Sequence, residues 1–183
     1  FTYLRTFQKK EDRIRYKEKI FSSCFNVNKN SEKKLIWFHA ASIGETLSIL
    51  PVIEEINKHN EDINFLITTV TLSSSGVFKK KLEKYKNTTH RFFPLDTVNL
   101  SGKFLNKWKP DLVCFVNSEI WPNFLFKIKE MNIPLVLING RITKKTLKKW
   151  LIFPSFAGKV FQNFDMCLPC SKDSKNNLEK LKV

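Results

Sequence analysis

The stretch "LIWFHAASIGETLSILPVIEEINKH" (Leu35 to His59) decides the fold. Its first part, 35–41, is a short apolar run bounded by a turn, which predicts a buried strand. Its last part, 46–59, has helical spacing, with Pro51 near the predicted start, where a helix tolerates proline best. Between them stands Ser42-Ile43-Gly44-Glu45. Ser42-x-x-Glu45 has the spacing of a capping box, in which the serine oxygen and the glutamate carboxylate each satisfy a backbone N–H. Gly44 allows a tight turn or the close approach of a ligand. The same position suits a base, since a carboxylate at a helix N-terminus is held ionised by the dipole. Both readings of Glu45 stand at this point. His39, inside the strand, is expected to be a core or edge residue.

The same alternation continues outward. Strands are expected at 63–69, 90–94, 111–116, 133–139 and 165–169. Helices are expected at 74–85, 97–108, 121–131, 141–150, 155–164 and 171–181. Fully apolar strands alternating with helices imply a parallel sheet covered on both faces. With right-handed crossovers this is an open, doubly wound α/β sheet of Rossmann type. Ligands of such sheets bind beyond the carboxyl ends of the strands. That rule selects the loops at 42–46, 70–75, 94–97, 117–123, 139–143 and 169–171. Three of them are chemically loaded: "SIGE" (42–45), "NSEIWPN" (117–123) and "NGRIT" (139–143). In the second, Glu119 could be a cap carboxylate, and Trp121 offers a flat apolar surface. In the third, Arg141 is expected at the start of a helix, a position the dipole disfavours for a cation, which suggests an anionic partner. The plainer reading of Arg141 is a solvated side chain.

The chain has 183 residues, 42% of them apolar, enough for one full domain with a core. Residues 1–33 are expected to form a basic, helix-leaning lead-in and polar linker, and 34–183 the domain. The net charge of +15 is uneven: +6 over 1–34, +2 over 35–140 and +7 over 141–183. Basic ends attract phosphate-rich partners, whether nucleic acid, anionic lipid or phosphorylated substrate, although a Lys- and Asn-rich composition can also arise without selection on charge. No apolar run has the length of a membrane span, and no signal peptide is evident. Cys114 falls in an apolar run and is expected in the core. "CLPC" (167–170) has redox spacing, but a thioredoxin-like domain needs further strands and helices after it, and a zinc site needs two more ligands.

"WFHAASIGE", "ITTVTLSSSG", "NSEIWPN" and "NGRIT", in this order, resemble the N-terminal half of the 3-deoxy-D-manno-octulosonic acid (Kdo) transferases, glycosyltransferase family 30. The lead-in "KKEDRIRYKEKIF" is similar to the basic segment before that family's first strand. The resemblance implies a two-domain GT-B enzyme of which this chain is the acceptor-binding half, with the donor half absent. It implies transfer of Kdo from CMP-Kdo to the lipid A precursor, with inversion and without a catalytic metal or other cofactor. It makes Glu45 the general base; the family's charge-stabilising glutamate falls on Asn117, which leaves Glu119 as the candidate to take over that role. Ser42, Gly44, Asn117, Trp121, Asn123 and Arg141 become the substrate-binding residues. Asn117 stands where the family motif has its first glutamate, and Cys170 where a glutamine is frequent. The resemblance further implies an anionic membrane surface as partner, at the cytoplasmic face of the bacterial inner membrane, bound peripherally or through an anchor upstream. A fragment without the donor half is expected to be inactive. The alternatives are the acceptor domain of another GT-B enzyme, or a basic nucleic-acid-binding module with exposed aromatics interleaved among Lys and Arg.

Overall fold

The computed structural model describes residues 15–25, 32–71 and 85–182. The helix expected at 74–85 and most of the lead-in lie outside these residues. Among them, six strands form one wholly parallel sheet: β1 (Lys34–His39), β2 (Ile63–Thr69), β3 (Thr88–Phe92), β4 (Leu112–Val116), β5 (Leu135–Gly140) and β6 (Met166–Pro169). Their order is β3-β2-β1-β4-β5-β6, so the direction of winding reverses between β1 and β4. The six helices are α1 (Ile43–His59), α2 (Val98–Trp108), α3 (Pro122–Glu130), α4 (Lys144–Trp150), α5 (Pro154–Phe161) and α6 (Lys172–Glu179). This is the doubly wound sheet that the alternating apolar runs imply.

Strand periodicity divides the core in two. Leu35 and Trp37 of β1, Val113 and Phe115 of β4, and Leu135 and Leu137 of β5 face one side, under α2 to α6. Phe38, Cys114 and Val116 face the other, under Ile49 and Ile53 of α1. Trp37 is fully buried, and its indole N–H donates to Thr68 Oγ1 at 2.9 Å. Phe115 and Phe124 meet it edge-on, each with centroids 5.6 Å away, the favoured aromatic geometry.

Two local expectations need correction. Helix α1 begins at Ile43 rather than at 46, so Pro51 lies in its interior and supplies no N–H to the carbonyl of Leu47. The reason is the Ser42 cap, which starts the helix immediately after the strand. The described part of the lead-in is not a helical arm ahead of the domain. Arg15–Lys19 and Ser22–Cys24 are short 3₁₀ turns that dock on the sheet. Phe25 is buried in the larger core, edge-on to Phe104 at 5.2 Å. Lys19 Nζ donates to the carbonyl of Val70 at 2.7 Å and lies over the Phe92 ring.

Arg15 completes this docking. It donates twice to the Glu18 carboxylate and once to the His90 carbonyl. Glu18 also accepts from the backbone N–H of Phe92 at 2.9 Å. The His90 Nδ1 accepts from Arg15 at 3.0 Å, and Nε2 faces Thr69 Oγ1 at 2.9 Å. Burial, then the charges of Arg15 and Arg91, push the His90 pKa down to about 3. The unfolded chain therefore takes up a proton below about pH 6.5 that the folded chain refuses. The stability this contributes is present above that pH and lost as pH falls, by about 2 kcal/mol between pH 7 and pH 5. In denaturant titrations at the two pH values, His90→Gln should lose less stability than the parent by about that amount. Equal losses would show that His90 is not held neutral.

Candidate active site

At the reversal point α1 leaves β1 for one face of the sheet and α3 leaves β4 for the other, which opens a crevice between the two carboxyl ends. Glu45 stands at its α1 side. The capping box is complete: Glu45 N–H donates to Ser42 Oγ at 3.3 Å, and Ser42 N–H donates to Glu45 Oε2 at 3.3 Å. Ala41 N–H adds a shorter bond to the same oxygen, 2.7 Å. The other oxygen, Oε1, accepts from Asn117 Nδ2 at 3.1 Å, across the crevice. The cap therefore uses one carboxylate oxygen, and the second faces β4. A Cβ added at Gly44 would meet nothing within 4 Å, so this exposed position leaves room for a ligand to approach the first turn.

Asn117 ends β4 in the left-handed region, φ 65°, where asparagine is favoured over other side-chain-bearing residues. Its N–H donates to the carbonyl of Ile138, and its carbonyl accepts from Arg141 N–H. Ser118 Oγ donates to the Arg141 carbonyl at 2.7 Å. The "NSEIWPN" and "NGRIT" loops are thus tied by backbone. Arg141 itself is exposed and lies two residues before Thr143, the N-cap of α4. It is not in the first helical turn as expected, because Thr143 accepts from Thr146 N–H and fixes the helix start there. The dipole argument for an anionic partner does not apply to it.

Glu119 is held from two sides. His39 Nε2 lies 3.2 Å and Trp121 Nε1 2.8 Å from its Oε2, which leaves Oε1 out of both bonds. Nε2 carries a proton while the carboxylate is ionised, since a carboxylate only accepts. His39 is fully buried, stacked on Phe93 with centroids 3.9 Å apart, and its Nδ1 lies 3.0 Å from Thr68 Oγ1. Burial pushes the Glu119 carboxyl up, but the His39 hydrogen bond and charge and the Trp121 N–H outweigh it, and the pKa lies below the ordinary value. Glu119 is therefore an anion at neutral pH, fit to stabilise positive charge and unfit to deliver a proton. Trp121 is half-buried against Phe93 rather than a free flat surface, and its polar edge positions Glu119.

Asn123 is turned to a structural task. Its amide donates to the Asp96 carbonyl at 2.9 Å. The Asp96 carboxylate accepts from the N–H groups of Asn123 and Phe124. Trp121, the N-cap of α3, makes no side-chain cap, so Asp96 caps that helix from the loop after β3. His39 and Asp96 are the site residues that sequence reasoning missed. A histidine closing an apolar strand was the available signal for the first, and a remote cap leaves none. Cys167 and Cys170 are free thiols, and burial pushes the Cys167 thiol up to about 12, which keeps it protonated and unreactive.

The sequence profile of the family described as 3-deoxy-D-manno-octulosonic-acid transferase (kdotransferase) matches residues 12–183. The chain belongs to the Kdo transferase family. It is 32% identical over 182 residues to the 3-deoxy-D-manno-octulosonic acid transferase of Rickettsia bellii, covering 99% of this chain and 42% of that protein. The Rickettsia conorii enzyme is 38% identical over 151 residues, covering 81% of this chain and 31% of its own length. A probable mitochondrial relative from Arabidopsis thaliana is 36% identical over 140 residues, covering 75% of this chain and 31% of its own length. The chain thus spans less than half the length of these relatives. Among solved structures, a UDP-GlcNAc 2-epimerase from Neisseria meningitidis superposes with TM-score 0.54 at 19% identity, over 82% of this chain and 43% of that one. A putative UDP-N-acetylglucosamine 2-epimerase from Listeria monocytogenes gives TM-score 0.57 at 13% identity, over 82% and 42%. These likenesses concern the fold alone, an open parallel sheet covered by helices.

Two substitutions test this geometry in the Kdo transferase at full length. Asp96→Ala removes the remote cap of α3 and should cost about 1–2 kcal/mol in denaturant unfolding. An unchanged midpoint would mean that α3 needs no cap. Asn117→Asp keeps a residue tolerant of positive φ but places a second carboxylate against Glu45. Like charges that close cannot both ionise, so the acid limb of the kcat/KM profile should move up by about one pH unit or more. A profile that stays in place would separate Asn117 from the group that sets that limb.

Proposed function

We propose that this chain is the acceptor-binding half of an enzyme that transfers Kdo from CMP-Kdo to the lipid A precursor, at the cytoplasmic face of a bacterial inner membrane. The observation that carries the reading is the Glu45 carboxylate at the crevice between β1 and β4, with Oε2 fixed by Ala41 and Ser42 and Oε1 turned to Asn117. In this reading an acceptor hydroxyl enters over the open first turn at Gly44 and displaces or joins the Asn117 amide at Oε1. Glu45 removes the hydroxyl proton as the oxygen attacks the anomeric carbon of Kdo. The bond from that carbon to the CMP phosphate breaks with its electron pair, and the anomeric configuration inverts. No metal or other cofactor is required by this scheme, because the base is a carboxylate and the leaving group is already an anion of a phosphate. Glu119, anionic and pinned by His39, stabilises the positive charge that develops at the sugar ring. Arg141 and the loop that Ser118 ties to it flank the acceptor phosphates. CMP-Kdo is held by the half of the enzyme that this chain does not contain, so the chain alone is inactive.

Family membership supports this over a nucleic-acid-binding module. So does the placement of the sheet aromatics: Trp37, Phe38, Phe65, Phe92 and Phe115 are all buried and present no stacking platform. The test is Glu45→Gln in the full-length enzyme. The amide keeps an acceptor oxygen for the cap, so the fold and acceptor affinity should persist. Turnover should fall about 100- to 10,000-fold, as for loss of a general base. Near-normal turnover would reduce Glu45 to a helix cap.

A further inference from the structure

Helices α4 and α5 form a hairpin whose inward stripe is fully used: Leu147, Ala157, Val160 and Phe161 are buried in the larger core. A second apolar set remains on the outside. Ile152 is 66% and Phe153 70% exposed at the turn, flanked by Leu151 and by Phe156. The Phe156 ring lies parallel to Trp150 with centroids 6.3 Å apart, and 6.4 Å from Phe126 of α3, so these side chains make one continuous patch. Scattered exposed apolar residues need no explanation, but a contiguous patch marks an interaction surface.

The charge beside this patch has one sign. Lys144, Lys145, Lys148 and Lys149 line a shallow concavity together with Ile152. Residues 141–164 contain six Lys/Arg and no Asp/Glu. Elsewhere on the described surface, lysines such as Lys58, Lys127 and Lys129 are paired with carboxylates. An apolar tip bordered along α4 by unpaired lysines is complementary to one chemistry, an anionic surface with hydrocarbon beneath it. A second copy of the chain would bring two clusters of four lysines together. A nucleic acid would stack on Phe153 and Phe156 but leave Leu151 and Ile152 without a partner, whereas acyl chains cover all four.

We propose that the α4–α5 hairpin is the membrane-docking face of this protein. Ile152, Phe153 and Phe156 enter the boundary between headgroups and acyl chains, and the four α4 lysines contact anionic headgroups. Among residues 15–25, Arg15, Lys19 and Phe25 are taken up by the domain itself. The inference deepens the glycolipid-acceptor reading by naming the surface, and its test does not need catalysis.

The test uses the full-length enzyme and vesicles of phosphatidylcholine with or without about one-third phosphatidylglycerol, at low and high salt. In the parent, flotation should rise with phosphatidylglycerol and fall with salt. Lys144→Glu with Lys148→Glu should weaken this anion-dependent component about tenfold or more. Phe153→Trp adds a local reporter whose extra emission, against the parent, should be quenched by brominated acyl chains, whatever else anchors the protein. Ile152→Glu with Phe153→Glu should keep the parent's melting temperature and its turnover on acceptor in detergent micelles, and lose turnover on acceptor embedded in vesicles. Absence of quenching at position 153, or flotation unaffected by the lysine reversals, overturns the proposal. A raised dimer dissociation constant in the Ile152/Phe153 variant would overturn it in favour of a self-contact, and a lowered melting temperature in favour of a face covered by the rest of the chain. Retained quenching with no transfer by the parent, even on micellar acceptor, would fault the Kdo transfer reading and leave the docking face in place.

Discussion

The arrangement of this domain depends on the divergence of two neighbouring strands. β1 and β4 pair in parallel, Trp37 beside Val113 and His39 beside Phe115, yet their following helices cross opposite faces of the sheet. A right-handed crossover cannot fill the space above that pair from either side, so a crevice is left by topology alone. What occupies its walls is then set by side-chain alternation. Leu35, Trp37 and His39 share one face of β1, which puts the imidazole at the end of a buried aromatic row and under Glu119. Asn117, the residue that ends β4, reaches back to Glu45 on the far wall. The two carboxylates are thus each held by a group from the opposite strand.

The amino-terminal edge of the same sheet shows that a carboxylate beside a strand end is not by itself a reactive group. Asp111 accepts from Leu35 N–H at 2.8 Å and pairs with Lys34, and Asp165 accepts from Leu135 N–H at 2.9 Å and pairs with Lys129. Both are consumed by the neighbouring strand and a cation. Glu45 differs in having no cationic partner among its hydrogen bonds, only N–H dipoles, with one oxygen given to the cap and the other to a neutral amide. An amide is a partner that a substrate hydroxyl can replace with little loss, because one neutral donor is exchanged for another. Cap and base are therefore compatible on one side chain.

The fold was legible because its signals are local. Each buried parallel strand is a short apolar run, and the Ser42-x-x-Glu45 capping box announces the first helix, whereas the caps Thr97 and Thr143 are single residues that the spacing does not single out. The site was legible only up to the loops. That Glu45 meets Asn117, and Glu119 meets His39, depends on which strands are neighbours, and separations of 72 and 80 residues carry no local signature. Arg141 was misplaced by a three-residue error in a helix start, enough to reverse an argument from the dipole. Trp121 reads from its loop as a flat apolar surface and Asn123 enters only by resemblance; their contacts with Phe93 and Asp96, both after β3, have no local signature. Residues 15–25 read as a separate basic segment because their partners, Val70, His90 and Phe104, lie far along the chain.

The charge layout links the crevice to the rest of the domain. The loop after β4 is bonded through Ser118 and Asn117 to Arg141, and only Ile142 separates Arg141 from the cap of α4 with its four lysines. One continuous piece of chain therefore runs from the anionic crevice to a wholly cationic helix. The acceptor proposed above, with a hydroxyl to be deprotonated and phosphates to be bound, would need both signs of charge, separated so that neither neutralises the other. Here Glu119 takes its imidazole partner, His39, from inside the core and away from solvent. The lysines of α4 have no carboxylate within their own helix or the next to fold back upon. The two charges are kept apart by secondary structure, the carboxylate just after one strand and the lysines on the helix that follows the next strand.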